Sequence, residues 1–112
     1  MKKFMILYLS PVSAREQMAN ASPEQMQAGM REWLNWREKT GKAIVDLGAP
    51  LASGKHIEAG KVTGGNLTVT GYSIVQANSI DEAVKLLDEH PHFKMPGGAS
   101  IEVLEFVPMP GM

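Results

Sequence analysis

The side chains that could move protons or hold a ligand are few. The chain has no cysteine among its 112 residues, which excludes thiolate nucleophiles, disulfides, thiolate zinc sites and iron–sulfur clusters together. Proton transfer near neutral pH therefore falls first to histidine, and there are three: His56, His90 and His92. His90 and His92 flank Pro91 at the end of a stretch that reads as a helix. They are candidates for a general base or a ligand contact at a cleft rim. The competing use of His90 is as a helix C-cap, where the dipole and the unpaired carbonyls favour a cation. A metal site from this pair would need a third ligand, and no nearby carboxylate offers one, so no metal is expected. Asp46 precedes Gly48-Ala49-Pro50 at the expected end of the first helix, where the dipole disfavours a carboxylate. It is either a solvated helix end or a residue with a task. If the protein is an enzyme, Asp46 with His90 or His56 forms the expected base–orienter pair, His90 being favoured.

Tyr8, His56, Tyr72, His92 and Trp33 are the ligand-binding candidates. Tyr8 and Tyr72 fall on expected neighbouring strands, and a buried tyrosine hydroxyl finds a partner; they line a pocket or pack the core. His56 lies in a glycine-rich connection between Gly54 and Gly60, the kind of segment that carries binding residues, or else is a surface histidine. Trp33 and Trp36 are at helical spacing, where they cover a sheet and one can also wall a site. Eight methionines suit a deformable apolar pocket or a dimer surface as well as core filling. Gly64-Gly65-Asn66 is a turn and not a phosphate loop, since no strand–GxGxxG–helix or P-loop pattern exists. No G-x-S-x-G elbow is present for a serine hydrolase. No cofactor is expected.

The elements that position these residues follow from periodicity. Phe4–Leu9 is apolar without alternation and reads as a strand buried on both faces, closed by Pro11. A polar stretch runs to Asn20. Ser22-Pro23-Glu24-Gln25 is a capping box with proline at N1. The 3–4 spacing of Met26, Met30, Trp33, Leu34 and Trp36 continues through Ala43, Ile44 and Leu47. This favours a helix to Leu47 over one ended by Gly41, in which case Ile44-Val45 would start a strand. Glycines and prolines interrupt residues 48–70, where one strand within Leu51–Val62 and an extended Leu67-Thr68-Val69 are expected. Gly71–Ala77 alternates as a strand. Ser79 and Glu82 form a second capping box, Ile80, Ala83, Val84 and Leu87 an apolar face, and Pro91 stops that helix. His92–Gly98 is a loop, Ser100–Phe106 the last strand, and the remainder an irregular tail. One domain over residues 1–112 is expected, α+β in class. The order β, α, β, β, α, β (with room for an extra hairpin) resolves as a split βαβ, an antiparallel sheet with both helices on one face. The other face, carrying Met5, Leu7 and Leu9, needs a cover, and a second copy of the sheet is the simplest one.

The run Gly71-Tyr72-Ser73-Ile74-Val75-Gln76-Ala77-Asn78-Ser79-Ile80-Asp81-Glu82-Ala83, then His90-Pro91-His92, then Gly98-Ala99-Ser100-Ile101-Glu102-Val103, resembles the YCII-related family. The resemblance covers the first strand and roughly the C-terminal 45 residues of the chain. It implies a dimeric α/β-barrel: two ferredoxin-like sheets face to face, with a cleft between the sheet and the first helix. It further implies either an enzyme-like member with a histidine–aspartate pair, one branch resembling a dehydrochlorinase of chlorinated hydroxyquinols, or a protein of unassigned function. Two features are missing: the D-G-P-F motif of a related branch, where this chain reads Val69-Thr70-Gly71-Tyr72, and the histidine that some members carry in or near the first helix. Both absences move weight from catalysis toward binding.

Composition sets the remaining bounds. Lys plus Arg is 11 against 12 Asp plus Glu, a net charge of −1, which offers no basic face for nucleic acid or a membrane surface. The longest apolar run is far short of the ~20 residues of a membrane span, and no secretory signal is legible, so a cytoplasmic location is expected. A domain this small buries only about two-thirds of its unfolded surface, which favours a homodimer. The expected function is binding of a small, aromatic-type molecule, with lyase- or isomerase-type acid–base chemistry; the alternative is a non-enzymatic ligand-binding or interaction dimer.

Overall fold

The computed structural model describes residues 1–52, 54–65, 68–95 and 98–111. Four strands form one antiparallel sheet: β1 (Lys2–Leu9), β2 (Ile44–Pro50), β5 (Val69–Ala77) and β6 (Ser100–Glu105), in the order β2-β5-β1-β6. This is the ferredoxin-like βαββαβ arrangement. The expected extra hairpin is present as β3 (Lys55–Glu58) and β4 (Lys61–Gly64), a separate two-stranded ribbon between β2 and β5. The Asn66 end of the expected Gly64-Gly65-Asn66 turn, and Leu67, lie outside the described residues.

The helices are α1 (Ala14–Asn20), α2 (Pro23–Thr40) and α3 (Ile80–Leu86). α1 is one more helix than the sequence suggested, but its signal was there: Ser13 accepts from the Glu16 N–H, the same Ser-x-x-Glu start used elsewhere. For α2 the capping box forms as expected, with Ser22 Oγ accepting from the Gln25 N–H at 3.1 Å and Gln25 Oε1 from the Ser22 N–H at 2.8 Å. At Ser79 the box closes differently. Ser79 Oγ accepts from the Glu82 N–H, while the Glu82 carboxylate reaches one residue further back, to the Asn78 N–H at 2.6 Å.

The expected extension of α2 to Leu47 is overturned. The helix ends at Thr40, with Gly41 as its cap at φ +59°, a conformation glycine adopts without the Cβ penalty. Ile44 and Leu47 kept helical spacing by coincidence; in β2 they pack on the same core from the sheet. Asp46 is therefore a strand residue, and the helix-dipole argument for it lapses.

The core lies between one sheet face and α2 and α3. Phe4, Ile6 and Tyr8 of β1 and Val75 and Ala77 of β5 meet Trp36, Ala83 and Leu87. The Trp36 indole N–H donates to the Leu86 carbonyl at 2.9 Å, which ties α2 to α3. Met26, Met30 and Leu34 of α2, and Ile80 and Val84 of α3, are instead exposed. The apolar stripes read from the sequence are thus wider than the buried ones. On the opposite sheet face Met5, Leu7 and Leu9 are half-buried within the single chain, not fully covered. Gly48 is fixed twice over: its φ is +83°, and a Cβ there would lie 1.6 Å from the Tyr72 carbonyl oxygen.

Loss of either N-cap hydroxyl removes a partner for an otherwise unpaired helix N–H. Ser22→Ala and Ser79→Ala are each expected to cost about 0.5–2 kcal/mol, read as lowered urea midpoints at unchanged slope.

Candidate functional site

A cleft of about 320 Å3 lies between the core face of the sheet and the helices. Tyr8 forms part of its floor. One side is Ala14, Gln17 and Met18 of α1 with Met30 and Trp33 of α2; the other is Leu47–Pro50 of β2 and Thr70–Tyr72 of β5. His92 and Met95, from the turn after α3, close it. The lining is predominantly apolar and contains no Lys, Arg, Asp or Glu.

Behind the cleft sits an aromatic cluster. Tyr8 meets Trp33 edge-on at 5.0 Å between ring centroids and stacks on His90 at 5.0 Å. Trp33 and Trp36 approach His90 edge-on at 4.7 Å and 4.5 Å. His90 is 1% exposed, and burial, helped by the neighbouring His92, pushes its pKa from 6.5 down to about 3. It is a neutral imidazole, and its tautomer is determined. Nδ1 accepts the His92 backbone N–H at 3.0 Å, so the ring hydrogen is on Nε2, which faces Tyr8 Oη at 3.3 Å. Tyr8 Oη donates to Ser73 Oγ at 2.8 Å, and Ser73 Oγ donates to the Leu47 carbonyl at 2.6 Å. Burial holds the Tyr8 phenol protonated, with its pKa raised to about 12.

This arrangement corrects both expected uses of His90. It is not a cationic C-cap of α3; it N-caps the short 3-10 turn Pro91–Lys94 through a lone pair. It is also not poised as a base, because that lone pair is already engaged. Nor does the fold bring His90 and Asp46 together. Asp46 pairs opposite Ile74, and alternation along β5 puts Ile74 on the sheet face away from Ser73, Tyr8 and His90. There Asp46 Oδ1 accepts the Gly48 N–H at 2.9 Å and Oδ2 accepts the Tyr72 hydroxyl at 3.3 Å. Tyr8 and Tyr72 are on adjacent strands, as expected, but Tyr72 pairs with Leu7 and Tyr8 with Gly71, so their side chains leave opposite faces. His56 is on the exposed β3–β4 ribbon, 3.3 Å from Glu58, away from the cleft lining.

His92 has the geometry sought in His90. It is 3% exposed, and its Nε2 meets the Leu9 carbonyl at 2.9 Å. A carbonyl only accepts, so Nε2 carries the hydrogen, and the neutral ring keeps its lone pair on Nδ1. No described residue pairs with Nδ1, and the described residues contain no buried side-chain polar atom lacking a partner. His92 lines the cleft, and its Nδ1 is the ring nitrogen left for an occupant. Of the sequence candidates, Tyr8, Trp33, Tyr72 and His92 border this cleft. Gln17 and Thr70 were missed, while Met18, Met30 and Met95 are among the methionines read as suited to an apolar pocket. The eight methionines were the available signal for an adaptable apolar wall.

The low pKa of His90 links to stability with a definite sign. Between pH 6.5 and about 3 the unfolded histidine binds a proton and the folded one does not, so the folded state is fully favoured above pH 6.5 and loses this contribution as pH falls. The expected slope is at most about 1.4 kcal/mol per pH unit. His90→Asn keeps a capping acceptor while removing the titration. Denaturant midpoints measured from about pH 7 to pH 5, above the carboxylate range, should fall less steeply for the variant than for the wild type.

No protein-family model matches the chain, and no curated protein matches it. Among solved structures the chain is similar to 5-chloro-2-hydroxyhydroquinone dehydrochlorinase (TftG) from Burkholderia phenoliruptrix AC1100, in complex with 2,5-dihydroxybenzoquinone. The TM-score is 0.49 and the identity 18%, over 96% of this chain and 94% of that one.

Proposed function

We propose that the chain is a YCII-related protein that seats a small, predominantly apolar molecule in the cleft between sheet and helices, with His92 Nδ1 as the group that takes a proton from it. The observation that carries this reading is the fixed His92 ring. Its donor is spent on the Leu9 carbonyl, its Nδ1 has no partner among the described residues, and the ring lines a cleft of about 320 Å3 whose wall is predominantly apolar. Such a site supports lyase- or isomerase-type proton abstraction: the ligand's acidic hydrogen passes to Nδ1, and the imidazolium is held through its Nε2–H on the backbone carbonyl. His90 and Tyr8 position the turn that presents His92. Asp46 is outside this set. One observation favours the alternative, a binding protein without turnover: the His92 Nε2–H rests on a carbonyl and not on a carboxylate, so no anion stabilises the protonated ring.

His92→Gln retains an N–H for the Leu9 carbonyl but has no basic lone pair. Against a panel of small uncharged aromatics, any turnover found for the wild type should drop by about 10²–10⁴-fold in this variant, with ligand affinity changed only a few-fold. A ligand retained in the native mass spectrum of both proteins, without turnover in either, would select the binding-protein reading.

The half-covered sheet face supports a homodimer built sheet to sheet. Met5, Leu7 and Leu9 alternate there with the core residues of β1, and Leu104 of β6 is 49% exposed. An isologous contact covers the same patch on both copies. Sedimentation at micromolar concentration should show a dimer for the wild type and a monomer for Leu7→Asp, which would bury two charges in that contact.

A further inference from the structure

The polar side chains around the cleft share a directional feature that bears on the ligand's chemistry. Thr70 Oγ1 donates to the Tyr8 carbonyl at 3.2 Å. Gln17 Nε2 donates to the Val12 carbonyl at 2.7 Å and to Ser10 Oγ at 3.3 Å, which uses both of its hydrogens and fixes which end of the amide is oxygen. His92 donates to the Leu9 carbonyl and Tyr8 to Ser73. In each case the hydrogen is turned into the protein and lone pairs are what remain. The acceptors are mostly backbone carbonyls, which cannot reverse roles, so the polarity of the wall is set by the fold. Among the side chains lining the cleft, only the Trp33 indole N–H is a donor without a partner among the described residues. No charged side chain lines the cleft.

We infer that the cleft selects uncharged ligands that donate hydrogen bonds, because its polar wall is built almost entirely of acceptors whose orientation the backbone fixes. An anionic ligand would meet lone pairs from Gln17 and Thr70, with no Lys or Arg in the lining to offset them. A ligand with only acceptors would leave those lone pairs dehydrated and unpaired, the costly side of hydrogen-bond exchange. This inference rests on the cleft being a ligand site, as proposed above, and adds the chemical class.

Indole and benzofuran are the discriminating probes, since they share size and shape and differ by one N–H replaced by an ether oxygen. Benzyl alcohol and benzoate form the charge pair. Isothermal titration calorimetry at about pH 8, where an unperturbed histidine is neutral, should give indole about ten-fold tighter binding than benzofuran, the worth of one net hydrogen bond. Benzyl alcohol should bind more tightly than benzoate, and the His92 ring resonances should shift on adding indole. In Gln17→Leu the indole preference should shrink. Benzofuran binding as tightly as indole, or benzoate more tightly than benzyl alcohol, while the His92 resonances still shift, overturns the inference and leaves the cleft as a ligand site. Absence of binding by all four probes, with His92 unmoved, overturns the ligand-site reading and this inference with it.

Discussion

A single chain of hydrogen bonds holds the site in place: His90 to Tyr8, Tyr8 to Ser73, and Ser73 to the Leu47 carbonyl. It runs from the turn after α3 through β1 and β5 to β2, so it stitches three strands to a connection on the core face. Every member is buried or half-buried, and a broken link would leave a polar group without water or partner, which costs more than an intact bond contributes. The direction of donation is forced from both ends. His90 Nδ1 must accept from a backbone N–H, and the Leu47 carbonyl must accept from Ser73. The neutral state of His90 is therefore part of the architecture, and its depressed pKa is a consequence of where the chain ends.

The same constraint shapes the cleft. The His90 lone pair caps the Pro91–Lys94 turn, and that turn presents His92 to the cavity. The Leu47–Gly48 bulge, demanded by the close approach of Gly48 to the Tyr72 carbonyl, both delivers the Leu47 carbonyl to Ser73 and forms one wall. Because the structural bonds consume the available hydrogens, the wall is left with lone pairs among apolar surfaces. The proposed ligand preference and the structural bonds rest on the same pattern of donors and acceptors.

The aromatic residues divide the labour. Trp36 is committed to the core, with its indole N–H on Leu86. Trp33, three residues earlier on the same helix, is half-buried and borders the cleft while packing edge-on against Tyr8 and His90. Met18, Met30 and Met95 line the cleft, and the unbranched methionine side chain is the most adaptable wall residue available there.

The sequence by itself determined the local features. The Ser22 box with Pro23 and Gln25, the alternation of Gly71–Ala77, and the apolar run of β1 each encode an element through contacts within a few residues, and they suffice for a βαββαβ order. Ser13-x-x-Glu16 was equally readable for α1. What only the tertiary structure decided was everything that depends on which face a residue leaves from and on what it meets there. Ile44 and Leu47 fit a helical stripe and a strand alike, because a short apolar spacing does not distinguish them, and the choice placed Asp46 on a strand. A single step of alternation then put Asp46 and Tyr72 on one side of the sheet and Tyr8 and His90 on the other. His90 and His92 are chemically identical in sequence. One is a neutral cap and the other faces the cleft because a backbone N–H meets the first ring and a backbone carbonyl meets the second, and those partners come from long-range packing that no local pattern records.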